Sequence, residues 1–265
     1  MQANPGLSPP LVPMPWHQTA RVALATHRIL VLIGDPGCGK TEFVQQQCRT
    51  ATGEPAEELQ GGPKVDDLSF FGRYTLAGDT TPFVDGPLWR ALRRGSWFVL
   101  NDAGQVPFAQ LSALLPLRHG QELTNPISQE RLQVPASFRL VLTGNRDNNS
   151  CKSNLSAMQS LLDGSLLVDV PEPIDDVVRA VLRAHQPTLN DERLGRLLSI
   201  KKRFQDLNGE DEKRKIQIGI RALLQLGTLL AAGMDENEAI ATAVVGKFLL
   251  DKDRYDAARL AVQFG

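Results

Sequence analysis

Apolar positions along the chain follow two different rhythms. Short unbroken runs occur at Ile29-Leu30-Val31-Leu32-Ile33, at Trp97-Phe98-Val99-Leu100, and from Phe138 to Leu142. Runs of that length bounded by turn residues read as strands covered on both faces. Helical spacing fills the intervals. Residues 17–27 predict a short helix feeding the first strand, and 42–50 continue a helix that Gly53-Glu54-Pro55 ends. Residues 88–94 give a turn or two, a further helix carries Leu111, Leu114 and Leu115, and 121–135 read as a hairpin. The stretch 61–87, rich in Gly, Asp and Thr, is long for a connection and reads as a functional loop or hairpin. Strands alternating with helices predict an α/β domain with a parallel sheet whose ligands sit at the strands' carboxyl ends.

From Pro173 the rhythm changes. Residues 175–186, 191–207, 214–234, 236–250 and 253–264 carry helical periodicity with no strand signal between them. Asp175 and Asp191 are expected to be N-caps, and Pro187 to separate two helices. The expected organisation is a Pro-rich arm over 1–16, an α/β domain over 17–172 and a small all-helical domain over 173–265. The boundary falls in Val170-Pro171-Glu172-Pro173.

Composition adds little: of 265 residues, 42% are hydrophobic and 22% charged, as in ordinary globular proteins. The net charge of −1 offers no global field for nucleic acid. The small basic clusters Arg90, Arg93, Arg94 and Lys201, Lys202, Arg203 leave local binding open, though each is more often a solvated helix face. Cys38, Cys48 and Cys151 form no CxxC, which favours reduced thiols in the cytoplasm. No apolar run reaches the roughly 20 residues of a membrane helix. The first 16 residues lack the features of a signal peptide.

The chemistry is concentrated after the first strand. Gly34, Gly39, Lys40 and Thr41 satisfy GxxxxGK[ST], with a strand before and a helical pattern after, the context a P-loop needs. Residues without bulk let successive backbone N–H groups wrap a phosphate at the positive end of a helix. Gly34, Asp35, Pro36, Gly37, Cys38, Gly39, Lys40, Thr41 and Glu42 are the expected binding segment for ATP or ADP. Lys40 would reach the β/γ oxygens, and the Thr41 hydroxyl would ligate Mg²⁺.

A P-loop α/β domain followed by a helical lid domain resembles the AAA+ layout. Phe83-Val84-Asp85-Gly86-Pro87-Leu88, with Ala91-Leu92-Arg93-Arg94-Gly95, resembles the approach to Walker B in the MoxR and dynein-related branch. The tail is similar to the CbbQ/NirQ/NorQ subgroup at Ile220-Arg221-Ala222-Leu223-Leu224, Leu230-Ala231-Ala232-Gly233-Met234 and Glu238-Ala239-Ile240. The resemblance implies a homo-oligomer, typically a hexameric ring, that remodels a partner protein at the expense of ATP and works with a von Willebrand A-domain protein. It also implies that Asn145 is sensor 1 and that Arg221 is sensor 2. Phe70-Phe71-Gly72 resembles an aromatic pore loop, or alternatively packs within its own hairpin.

Two departures bear on activity. Where the family has an Asp–Glu pair closing Walker B, this chain has Asn101 and Asp102. Asparagine brings no charge to the metal, and aspartate retracts the carboxylate by one methylene, roughly 1.5 Å; misplacement of about 1 Å can cost on the order of 100-fold. In the shifted register Asp102 is the metal residue and Ala103 stands at the catalytic position. Asn101, Asp102 and Asn145 are therefore the candidate catalytic residues, with Thr41 and Asp102 the candidate metal residues. The second departure is the arginine finger, since no arginine occurs between Asp147 and Val178; Arg146, Arg90, Arg93 and Arg94 are the substitutes within reach of the argument. Two functional classes follow: an ATP-dependent remodeller with weak hydrolysis, or a nucleotide-gated assembly or DNA- or partner-binding protein in which ATP is a structural ligand.

Overall fold

The structure is a computed structural model that describes residues 11–146, 163–206, 218–248, 255, 256, 258 and 259. Met14–Glu172 forms one compact unit, and the chain from Pro173 belongs to the other.

In the first unit the chain runs α1 (Pro15–Thr26), β1 (Ile29–Gly34), α2 (Lys40–Thr52), β2 (Glu57–Gln60), α3 (Asp67–Phe71), β3 (Gly72–Tyr74), β4 (Phe83–Asp85) and α4 (Pro87–Arg94). It continues through β5 (Trp97–Asn101), α5 (Phe108–Ser112), β6 (Glu122–Thr124), β7 (Arg131–Gln133), β8 (Arg139–Gly144) and β9 (Leu166–Val170). Five strands form one sheet in the order β2-β5-β8-β1-β9, parallel at every pairing. The three expected strands are its centre: β1, β5 and β8 are almost fully covered, as their apolar runs require. The two edges were not foreseen. β2 reads Glu-Glu-Leu-Gln with alternating exposure, and β9 lies just before the domain boundary. Each pairs on one side only, so neither needs the continuous apolar run that marks a central strand.

The stretch 61–87 contains a short helix, α3, as well as the hairpin β3–β4. Phe70 and Phe71 are buried against Phe98 and Trp89, so the packing alternative holds for them and they are not a pore-facing pair. The exposed apolar residues of that hairpin are Tyr74, Leu76 and Val84. The α4 arginines are committed to carboxylates: Arg90 and Arg94 to Glu57, Arg93 to Asp85 and Glu130. The Arg93 guanidinium, with help from Trp89 Nε1, holds the Glu130 carboxyl below its usual range.

The second unit is helical among its described residues: α6 (Asp175–His185), α7 (Asp191–Asp206), α8 (Ile220–Ala231) and α9 (Glu236–Ala243), followed by a 3₁₀ turn at Val245–Phe248. Val178, Leu182, Leu194, Leu197, Leu223, Leu226 and Ile240 make its core. Two expected caps shift by one residue. The residue before α6 is Ile174, which leaves Asp175 in the first turn, where its charge still favours the helix dipole. Asn190 Oδ1 accepts from the Arg193 N–H and so replaces Asp191 as the cap of α7. The helix expected from 214 instead begins at Ile220, because Gly219 before it is extended; 207–217 lie outside the described residues, as does most of 249–265. Lys201, expected in a basic surface cluster, is buried and paired with Asp175. No helix among the described residues is long and apolar enough to cross a membrane.

The expected arm ends earlier than residue 16, because α1 starts at Pro15, a favourable first helical residue, and Trp16 joins the core. His17 is only 2% exposed and stacks on Phe43 of α2 with ring centroids 4.6 Å apart. Its Nδ1 accepts the Met14 N–H at 3.2 Å, while Nε2 is buried without a partner. Burial, reinforced by the Arg21 charge, lowers the His17 pKa to about 4. The unfolded chain takes up this proton near pH 6.5 and the folded chain only near 4, so the stability from neutral His17 is complete above 6.5 and drains away between those values. The full difference amounts to about 3 kcal/mol. His17→Phe should flatten the fall in thermal midpoint between pH 6.5 and 4; midpoints that decline in parallel in the two proteins would refute this source of acid sensitivity.

Candidate functional site

The parallel sheet brings the carboxyl ends of β1, β5 and β8 side by side, with β2 beyond β5. From β1 the chain passes into the P-loop, where Gly39 has φ 84°, a left-handed conformation that a side chain would strain, immediately before α2 begins at Lys40. Lys40 is buried, and its ammonium donates to Gly34 O at 2.7 Å and Asp35 O at 2.9 Å. Its remaining neighbour is the soft acceptor Cys38 Sγ at 3.6 Å. Three N–H donors thus meet two strong acceptors and one weak one, which leaves capacity for a phosphate oxygen. Burial raises the pKa of the Cys38 thiol, which donates to Asp35 O at 2.9 Å; it is a structural proton donor and not a thiolate.

Thr41, on the first turn of α2, donates its hydroxyl to Asn101 Oδ1 at 3.0 Å. Thr143 at the end of β8 donates to the same oxygen at 3.2 Å. Asn101 Nδ2 donates to Glu58 Oε2 at 3.1 Å. This set fixes the amide, because the flipped orientation would place an oxygen against the Glu58 carboxylate. The last residue of β5 is therefore the one that meets the P-loop threonine, as the unshifted Walker B register expects.

Asp102 turns off the strand with φ 49° and ψ 46°, uncommon for a residue with a side chain. Its carboxylate is held at both oxygens, Oδ1 by Asn145 Nδ2 at 3.1 Å and Oδ2 by Gln60 Nε2 at 2.7 Å, and its N–H donates to Thr143 Oγ1 at 3.3 Å. The structure thus brings Lys40, Thr41, Asn101, Asp102 and Asn145 to one edge of the sheet. Arg221 lies in the second unit, exposed in the first turn of α8. Arg146 pairs with Asp169 and Val170 O, so it and the three α4 arginines all have partners within their own unit. The stretch 147–162, searched above for an arginine finger, lies outside the described residues.

Sequence reasoning missed Glu58, Gln60, Thr143 and Gln45. Gln45 Nε2 binds Glu58 Oε1, and its amide spans both the N–H and the carbonyl of Ala56. The signal that could have found them is the Gly-Gly at 61–62. A Cβ on Gly61 would lie 2.5 Å from Asp102 O and 2.6 Å from Asn101 O, so only glycine lets the end of β2 press against the end of β5.

A family model described as the AAA domain of the dynein-related subfamily matches residues 29–162, just over half of the chain. Protein NorQ of Paracoccus denitrificans is 26% identical over 84% of this chain and 81% of its own length. The denitrification regulatory protein NirQ of Pseudomonas aeruginosa is 27% identical over 82% of both. Among solved structures, NtrX from Brucella abortus superposes with a TM-score of 0.55 at 14% identity, over 97% of this chain and 64% of that one, a likeness of fold.

Gly61→Ala should cost about 1–3 kcal/mol in chemical denaturation, since backbone rather than a flexible side chain must give way. A change within a few tenths of a kcal/mol would show that β2 can withdraw from β5 freely.

Proposed function

The chain belongs to the dynein-related subfamily of AAA domains, and from that premise we propose that it binds Mg·ATP and acts as an oligomeric remodeller of a partner protein, hydrolysing nucleotide slowly. The observation that carries the reading is the convergence of Lys40, Thr41, Asn101 and Asn145 at the carboxyl ends of β1, β5 and β8. Lys40 and the P-loop N–H groups bind the phosphates. The donor chemistry fits magnesium: Thr41 supplies a hydroxyl, Asn101 a neutral oxygen beside it, and this cation keeps several waters while taking the rest of its shell from nucleotide phosphates. Bound there, it would neutralise phosphate charge.

Slow turnover follows from the acid that remains. Asp102 is one methylene shorter than the family's glutamate, and both its oxygens are engaged, by Gln60 and Asn145. The expected site of the finger has no arginine, and the substitute arginines are paired within their own unit. The partner we favour is a protein carrying a von Willebrand A-domain, with a hexameric ring as the working assembly; both rest on resemblance to the NorQ and NirQ group. Nucleic acid is disfavoured, because Arg90, Arg93 and Arg94 are neutralised by Glu57, Asp85 and Glu130, and Lys201 is turned inward.

A second reading draws on the same engaged carboxylate: ATP is a structural ligand that selects the assembling state and is not consumed. Calorimetry with Mg·ATP, paired with light scattering of the oligomer, separates these from a site that binds nothing. Lys40→Ala should abolish both the binding heat and any nucleotide-dependent assembly. Asn101→Asp combined with Asp102→Glu should raise steady-state hydrolysis at least tenfold if Walker B alone is limiting, whereas no gain points to the missing finger. Wild-type turnover at the typical AAA+ motor rate, lost in Lys40→Ala, would overturn the slow-hydrolysis claim.

A further inference from the structure

We propose that Glu58 is a positioning residue for the magnesium site, supplying from the neighbouring strand the negative charge that Asn101 lacks. The inference rests on the nucleotide reading above and concerns how the metal is held once nucleotide brings it. Glu58 lies on β2, next to β5 in the sheet, and its side chain reaches the end of β5. Its two carboxylate oxygens have distinct partners: Oε2 accepts from Asn101 Nδ2 at 3.1 Å, and Oε1 from Gln45 Nε2. Gln45 is itself clamped to Ala56 through N–H and carbonyl bonds of 2.9 and 3.0 Å. Helix α2, which opens with Lys40 and Thr41, therefore also aims the carboxylate.

The chemistry follows from that chain of contacts. A carboxylate accepting from the amide nitrogen pushes electron density toward the amide oxygen, and hydrogen bonds in series strengthen one another. Asn101 Oδ1 accepts from the Thr41 hydroxyl, so the more negative oxygen stands beside the group that would help hold the cation. The same bond prevents the amide from turning its N–H₂ toward the cation. Glu58 thus gives a neutral asparagine part of the character of a carboxylate, acting through Asn101 and not as a ligand. Groups that orient metal ligands from behind typically contribute 10–100-fold to metal affinity. Glu58 is exposed, which places it at the low end of that range.

The test is the gain in ATP affinity that Mg²⁺ confers, measured by calorimetry in EDTA and in Mg²⁺ on the full chain. Glu58→Gln should reduce the gain about tenfold while leaving the EDTA affinity and the nucleotide-free thermal midpoint unchanged. Glu58→Asp should fall between the two. Adding Asn101→Asp to Glu58→Gln should restore the gain, because a carboxylate then stands beside Thr41 with an amide donating to it; a purely structural role for Glu58 predicts no such rescue. An unchanged gain in Glu58→Gln, or equal loss in both buffers, overturns this proposal alone. If Glu58→Gln does not fold, Glu58→Asp decides: a gain equal to that of wild type overturns the proposal and a reduced one supports it. Wild type that binds no nucleotide in either buffer overturns the nucleotide reading, and this inference with it.

Discussion

Parallel register between β1, β5 and β8 is the constraint from which the site follows. Leu30 lies opposite Val141, and Val99 opposite the same residue on its other side, so the three strands end stepwise, each within one residue of its neighbour. Their turn residues then share one edge of the sheet without any long-range polar attraction having to gather them. Apolar burial on both faces holds the register: Ile29, Val31, Phe98, Leu100, Leu140 and Leu142 share one face and one core cluster, and Leu30, Leu32, Val99 and Val141 are buried on the other. A slip of one residue would turn each of these side chains to the opposite face and pull Asn101 away from Thr41. Chemistry and packing are set by the same ladder.

What could be read from the chain follows that division. The central strands and the P-loop were legible because apolar runs and the GxxxxGK[ST] spacing are local signals. Asn101 and Asp102 were placed correctly at the end of β5 because Trp97–Asn101 is such a run. Glu58 and Gln60 were not seen, because an edge strand covered on one side can be written Glu-Glu-Leu-Gln and carries no hydrophobic signature. Their partners lie on α2, at the end of β5 and in the turn after it, so no spacing within β2 indicates them. The fate of Phe70 and Phe71 was undecided for a related reason: two adjacent aromatics suit a gripping loop or a core equally well. The presence of Phe98 and Trp89 beside them decides it for the core.

Two carboxylates still stand at this edge of the sheet, Glu58 on β2 and Asp102 after β5. The usual metal-side acid is absent from β5, yet an acid stands one strand away, connected to the vacated position by a single hydrogen bond. The other acid remains at Asp102 but is bound on two sides by amides. Both rearrangements involve β2, whose last residues approach β5 closely only because position 61 is glycine. Gly61 N–H donates to Asn101 O at 2.6 Å, tying the two strand ends together. The edge strand therefore belongs to the site as much as the P-loop does.

Under the function proposed above, nucleotide binding and hydrolysis would make different demands on this geometry. Phosphate binding depends on backbone N–H groups, an ammonium and a hydroxyl, all intact here, and tolerates a neutral oxygen near the cation. Water activation needs a free, basic carboxylate oxygen within about 3 Å of the attacking atom. Asp102 stands one methylene further back than a glutamate would, and each of its oxygens already accepts from an amide. Each oxygen keeps a second lone pair, but Gln60 and Asn145 fix the direction in which it points. The resemblance assigns Asn145 to the γ-phosphate, so a nucleotide in the site would compete for the amide that restrains Asp102. On the function proposed above, this resting arrangement suits holding ATP, and faster turnover would require a change in the hold of Gln60 or Asn145 on Asp102.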